Sequence, residues 1–202
     1  NPSSVVAPPH DSTGLPLIVS WTDANIGQGN LFEPGHFKDV IYVSPAPVWN
    51  SDSVTEVASV TVTDDIAKGG TVSISKSITI PDGEPGPLYV YIKSDKEANI
   101  FEEDENNNIA RSSGSIQLYR PDLIVPNVVA PSTDTSGNAA TFSWVVKNDG
   151  DGYVKNKTIK DKIYMSTYNM YDPDSLISLG ELEYTTDIDP GDSIVKSATL
   201  TI

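Results

Sequence analysis

The spacing Trp-x3-Asn-x-Gly-x-Gly occurs twice in this chain. It appears as Trp21, Asn25, Gly27 and Gly29, and again at an offset of 123 (144 − 21) as Trp144, Asn148, Gly150 and Gly152. At the same offset Val5-Val6-Ala7-Pro8 matches Val128-Val129-Ala130-Pro131, and Ser20 matches Ser143. After a one-residue deletion, Lys38-Asp39, Ile41-Tyr42 and Ser44 match Lys160-Asp161, Ile163-Tyr164 and Ser166. Asp52-Ser53, Asp65-Ile66 and Gly69 then match Asp174-Ser175, Asp187-Ile188 and Gly191. Identities in one order with a single gap mark a duplication, so the chain is two copies of one unit.

The register sets expectations for each copy. The first spans 1–119 and the second 120–202, with Ile202 falling opposite Ile80. The second copy is therefore expected to lack its last two strands, the counterparts of 88–94 and 107–118. That loss is expected to expose an apolar face lined by Phe142 and Trp144, with open sheet edges, which either the missing strands of the parent protein or another chain, by strand addition, would cover. Beginning at Asn1-Pro2-Ser3-Ser4, the chain reads as an excised segment of a longer protein.

Alternation with period two dominates both copies. Leu15, Leu17, Val19 and Trp21 share one face, as do Ala140, Phe142, Trp144 and Val146. Val72, Ile74, Ile78 and Ile80 are matched by Ile194, Ala198, Leu200 and Ile202, and Leu88, Val90 and Ile92 form another inward row. Shorter strands are predicted at 40–43, 58–62 and 109–118. Turn signals separate them at Asp11 to Gly14, Lys68-Gly69-Gly70, Pro81-Asp82-Gly83, Asp134 to Gly137 and Asp189-Pro190-Gly191. Short strands punctuated this way predict an all-β fold of tandem immunoglobulin-like antiparallel sandwiches, the second incomplete. With no cysteine in 202 residues, packing alone must close the sheets, and Trp21 and Trp144 are the anchors. The short junction at Arg120-Pro121-Asp122 predicts restricted hinge freedom between the copies, which suits a stalk.

The charge is −15, from 28 acidic against 13 basic side chains. This excess argues against nucleic acid, whose binding depends on Lys and Arg displacing counterions, and against an anionic membrane surface. No apolar run approaches the roughly 20 residues a membrane helix needs. Without cysteine there are no thiolate metal sites and no cysteine nucleophiles.

Several spaced segments resemble the CARDB family, the bacterial cell-adhesion-related domains. They are Pro121-Asp122-Leu123-Ile124-Val125, then Phe142-Ser143-Trp144-Val145-Val146-Lys147-Asn148 with Gly150, then Asp161 through Thr167. The Asn- and Glu-rich run from Asn99 to Asn108 is similar to the signature that closes family members. The first copy lacks the Pro-Asp-Leu opening and the second lacks the closing signature. The resemblance implies a small immunoglobulin-like module of secreted or surface-anchored bacterial proteins, with no catalytic residues to carry over.

Candidate chemistry is sparse. His10 and His36, in loops of the first copy, have no counterparts in the second and are expected to be solvated. The run Glu102-Glu103-Asp104-Glu105 with Asn106 to Asn108 is the densest cluster of oxygen ligands and a calcium candidate, against a hairpin connection. Asp172 and Asp174 match Asn50 and Asp52 as a repeated [N/D]-x-D-S. That pattern can begin a calcium loop but is read more economically as a turn. Glycines 27, 29, 150 and 152 are expected as turn glycines, since no helix follows them to form a phosphate site. Asn156-Lys157-Thr158 fits a glycosylation acceptor, relevant only in a eukaryotic secretory route. Trp49, Tyr153, Tyr168 and Tyr171 are loop aromatics able to stack on a sugar or to cover a sandwich edge.

The expected function is a non-catalytic structural or adhesion-related spacer, extracellular or at the cell surface. The alternative is an accessory carbohydrate-binding module of a secreted enzyme. No cofactor is expected beyond the calcium candidate. Expected partners are neighbouring domains, another protein or a glycan.

Overall fold

The computed structural model describes residues 1–32, 37–81, 83, 86–169 and 172–202, so His36 and Tyr171 lie outside the described residues. The chain divides into two units, Asn1–Tyr119 and Arg120–Ile202. Among the described residues every regular element is a strand, apart from one short 3-10 turn at Pro173–Ser175.

The first unit contains β1 (Pro2–Val6), β2 (His10–Ser12), β3 (Pro16–Ala24), β4 (Phe37–Ser44), β5 (Thr55–Val62), β6 (Thr71–Thr79), β7 (Tyr89–Lys93), β8 (Ile109–Arg111) and β9 (Gln117–Tyr119). One sheet has the order β1-β3-β6 and the facing one β5-β4-β7-β8, all antiparallel. The alternation in β3 is the cause: Leu17, Val19 and Trp21 are buried, while Pro16 and Ile18 face out. They meet Ile41 and Val43 of β4 and Val90 and Ile92 of β7 in one core. The outer face of β4 is covered as well. Trp49 reaches over it, edge-on to Tyr42 at 5.3 Å and Tyr91 at 5.5 Å between ring centroids.

The predicted single strand over 109–118 is two strands. Ser112 interrupts it: the Ser112 hydroxyl donates to the Gly114 carbonyl at 2.7 Å and accepts from the Val90 amide at 3.1 Å. Beyond that turn, β9 pairs in parallel with β2.

The second unit contains β10 (Leu123–Val129), β11 (Ala139–Asn148), β12 (Val154–Met165), β13 (Ile177–Ile188) and β14 (Ser193–Thr201), in sheets β10-β11-β14 and β12-β13. They correspond in order to β1, β3, β4, β5 and β6. Trp144 and Val146 pack with Val154 and Ile188, with Leu182 and Ile194 alongside, so the two sheets close on each other. The predicted exposed face is not there. Phe142 and Trp144 are both buried, and Trp144 packs on Val154 of β12 and Ile188 of β13, strands of 12 residues each against 8 in β4 and β5. Apolar side chains do stay exposed elsewhere in this unit, among them Val125, Val128 and Val129 of β10, Tyr164 and Met165 near the end of β12, and Val195 of β14.

Both units are immunoglobulin-like β-sandwiches, and the turn signals fall where the chain reverses. Gly14, Gly69, Gly83, Gly137 and Gly191 all adopt left-handed φ between 73° and 93°, the conformation only glycine holds without strain.

Candidate functional site

The residues repeated between the copies converge on two constructions in each unit. The first is an indole–carboxylate bond across the sandwich. Trp21 Nε1 donates to Asp39 Oδ2 at 2.7 Å, and Trp144 Nε1 donates to Asp161 Oδ2 at 2.6 Å. A tryptophan on one sheet is thereby tied to an aspartate on the other. A buried indole N–H needs an acceptor, and an ionised acceptor makes the stronger bond.

The second is a loop latch built on the Asn of the motif. The side chain of Asn25 donates to the carbonyls of Gly29 (2.9 Å) and Ile66 (3.0 Å) and accepts from the Gly27 amide (3.1 Å). Asn148 repeats all three contacts, with Gly152 (2.7 Å), Ile188 (3.2 Å) and Gly150 (3.2 Å). Backbone bonds from Asn25 and Asn148 to the turns at Gly69 and Gly191 complete each latch.

Around these shared parts the two units differ. In the first, Asp23 lies beside Asp39, with exposures of 1% and 0%. Asp23 Oδ1 accepts from the Ser94 hydroxyl at 2.8 Å, while Asp23 Oδ2 and Asp39 Oδ1 are buried without a partner. Burial, then the hydrogen bond and charge of Asp23, push Asp39 up to about 8, against the smaller opposing pull of Trp21 and Ser94. A proton held by Asp39 and shared with Asp23 satisfies both orphaned oxygens. In the second unit Val146 stands in place of Asp23. There Asp161 Oδ2 also accepts from the Tyr184 hydroxyl at 3.0 Å. Burial, followed by that bond and the carboxylate charge, raises the Tyr184 phenol above its usual range.

A cavity of about 620 Å³ opens at the end of the first unit, beside this acid pair. Asn1, Asp23, the 25–31 loop and the 100–104 segment line it. It gathers three of the calcium candidates, Glu102, Glu103 and Asp104. Glu102 and Asp104, with the neighbouring candidate Glu105, are occupied in bracing their own loop. Glu105 accepts from the Glu102 amide at 3.0 Å, Asp104 from the Asn106 amide at 2.9 Å, and Glu102 from Asn108 Nδ2 at 2.9 Å. Burial lifts the Glu102 carboxyl above its usual range, partly opposed by the Asn108 bond. Asp95 anchors the same segment by accepting from the amides of Asn99 and Ile100, both at 2.9 Å.

Asp172 and Asp174 belong to the second unit and form a local turn, Asp172 Oδ1 capping it through the Asp174 amide at 3.1 Å. Asn50 does the same for Asp52 at 3.0 Å. Among the described residues no group of three or more His, Cys, Asp or Glu is placed to hold a metal ion.

His10 is exposed at the start of β2, its ring 5.5 Å from that of Tyr119. Trp49 is spent on covering the sheet, whereas Tyr153 and Tyr168 stay exposed. Asn156 sits in a bulge of β12 at φ 48°, its amide donating to Asp187 at 2.6 Å.

Glycines 27, 29, 150 and 152 are not left-handed turn glycines. In the second unit their role is close approach. A Cβ on Gly152 would lie 2.6 Å from the Arg120 backbone, and one on Gly150 would lie 2.5 Å from the Asp122 nitrogen.

Sequence reasoning paired Trp21 with Trp144 and Asp39 with Asp161 but did not join them. The signal was present, since both pairs recur in one alignment. Asp23, polar on an otherwise apolar inward row, was the overlooked mark of the acid pair.

No protein-family model matches the chain, and no curated protein matches it. Solved structures similar to it include red sea bream transglutaminase, at TM-score 0.35 and 11% identity, covering 98% of this chain and 26% of that one. The class 5 fimbriae chaperone CfaA is similar at TM-score 0.28 and 14% identity, covering 98% of this chain and 99% of that one. A chaperone–tip adhesin complex of CFA/I fimbriae follows at 0.27 and 14%, covering 96% and 88%. The chain spans about a quarter of the transglutaminase's length. Among the described residues no helix is long and apolar enough to cross a membrane.

Proposed function

We propose that this chain is a non-catalytic structural module, two tandem sandwiches serving as a spacer in an extracellular or surface-anchored bacterial protein of the CARDB kind. What supports this reading is the use to which the duplicated polar residues are put. A repeated reactive centre would repeat groups left open to a substrate. Here the repeated Trp, Asp and Asn side chains are taken up in tying sheet to sheet and loop to turn. The residues that differ between copies, such as Asp23 against Val146, alter how the brace is satisfied and leave the brace in place. Neighbouring domains of the parent protein are its first partners, with another protein or a glycan beyond them.

Small-angle scattering from the 202-residue chain tests the spacer role. An extended, two-lobed profile is expected, and a compact side-by-side particle counts against it. A glycan array separates the carbohydrate-binding alternative. No binding across a broad panel is expected, and a specific hit would move the assignment to an accessory module.

A further inference from the structure

The Asn-x-Gly-x-Gly latch does one thing in the second unit that it does not do in the first. There residues 120–122 lie across it in line with β10. Asn148 Oδ1 accepts from the Asp122 amide at 3.0 Å in addition to Gly150. The Asp149 amide donates to the Asp122 carbonyl at 2.7 Å, and the Gly152 amide donates to the Arg120 carbonyl at 3.0 Å. The Arg120 amide in turn donates to Asp151 at 3.1 Å. Any side chain on Gly150 or Gly152 would strike this segment, and Asn148 is fully buried beneath it.

The first unit carries the same glycines with no backbone segment against them. A Cβ on Gly29 would meet no atom within 4 Å, and one on Gly27 only Asn25 Oδ1, at 3.3 Å. Neither has a left-handed φ; at Gly29 neither sterics nor conformation within the unit calls for glycine, whereas a Cβ on Gly27 would crowd the Asn25 oxygen of the latch itself. Asn25 is only half-buried, and both glycines line the 620 Å³ cavity. Asp23 also lines this space, 1% exposed and set beside Asp39. Glu103 and Asp104 add negative charge to the wall, and Phe101, fully exposed, with Ile26 adds an apolar rim.

We propose that this cavity is a receptor for an extended peptide segment of Arg-Pro-Asp character, seated on Gly27 and Gly29 in line with β1 as residues 120–122 are seated on Gly150 and Gly152. Register supports the placement. Ile124 of β10 pairs with Lys147, and the Asn1 carbonyl accepts from the Ala24 amide at 2.9 Å, so Asn1 occupies the position of Ile124. A segment running back from Asn1 along β3 then reaches the cavity wall after one further residue, where Asp122 lies in the other unit. Its Asp-position amide would donate to the free side of Asn25 Oδ1, and its carbonyl two residues earlier would accept from the Gly29 amide. A basic residue at the Arg position matches the acidic wall.

Two versions of the full chain test this, one with Arg-Pro-Asp-Leu joined ahead of Asn1 and one with Gly-Ser-Gly-Ser, each with Gly29 and with Gly29→Ala. Amide hydrogen exchange over residues 23–31 is the readout. The Arg-Pro-Asp-Leu chain is expected to exchange at least about tenfold more slowly there than the Gly-Ser chain. Gly29→Ala is expected to erase that difference while leaving the Gly-Ser chain unchanged, since its methyl enters open space. Equal exchange in the two chains, or slowing that survives Gly29→Ala, overturns the proposal. Circular dichroism of all four confirms that each is folded before the comparison is made.

Discussion

Trp144 and Asp161 show how much a single repeated contact carries. The Asp161 carboxylate is the acceptor for both the Trp144 indole and the Tyr184 phenol. Replacing it with Ala strands two donors in a partly dry interior, so Asp161→Ala is expected to destabilise the second unit by about 2–4 kcal/mol. Asp161→Asn keeps an acceptor oxygen and is expected to cost less than half of that, both read from urea titrations. Asp39 carries the same bond in the first unit with a different electrostatic setting. Its carboxyl is raised to about 8 when folded, whereas an unfolded aspartate titrates near ~4. The native state therefore holds a proton between those values that the unfolded chain has lost. The contribution of this acid pair to the stability of the first unit is expected to be fully present at and below pH ~4, to fall as pH rises to about 8, and to level above it. Asp23, Ser94 and Trp21 face this group, and only Asp23 among them brings a charge. Asp39→Asn keeps a neutral partner for Asp23 at every pH and is expected to flatten the curve. An Asp39→Asn chain that tracks the wild type across this window would refute the shared-proton account.

At the scale of elements, the period-two pattern was enough to place most strands, because half-buried strands must alternate and glycine marks several of the left-handed turns between them. It failed where a local polar contact overrides the pattern. Ile109 to Leu118 reads as one apolar-rich strand, yet Ser112 bonds Val90 and Gly114 and breaks it. The candidate site was less legible than the fold, since close approach and buried pairing join residues far apart in the chain. Nothing local in Gly150 or Gly152 announces that residues 120–122 lie over them. The glycine pairs make that difference measurable. Gly152→Ala is expected to destabilise its unit by about 1–3 kcal/mol or more through backbone collision, while Gly29→Ala shifts stability by no more than about 0.5 kcal/mol. The acidic turns carry a parallel expectation. Glu102, Asp104, Glu105 and Asp172 each accept from a nearby amide or amide side chain, so their loops are closed without an ion. Calcium held at a hundredfold its Kd would add about 2.7 kcal/mol. The midpoint of melting is instead expected to be the same in excess calcium and in excess EDTA.

For the molecule as a whole, the decisive quantity is how much core each unit closes by itself. Thirteen buried apolar residues form the main cluster of the first unit, and four form that of the second, where the rest of the contact is with half-buried side chains. Hydrophobic stabilisation scales with apolar area removed from water, so the second unit has much the smaller reserve. Its 12-residue β12 and β13 compensate in part through cross-strand pairs, Lys160 with Glu181 and Glu183 among them, but exposed pairs of this kind contribute little. Two separate transitions are therefore expected in urea, the second unit melting first. The tryptophans divide the signal: Trp144 reports the second unit, Trp21 and Trp49 the first. A Trp144→Phe chain is expected to show only the later fluorescence transition, and a Trp21→Phe, Trp49→Phe chain only the earlier one. Coincident transitions in the two chains would mean that the units unfold as one cooperative body and would overturn the expectation of separate melting.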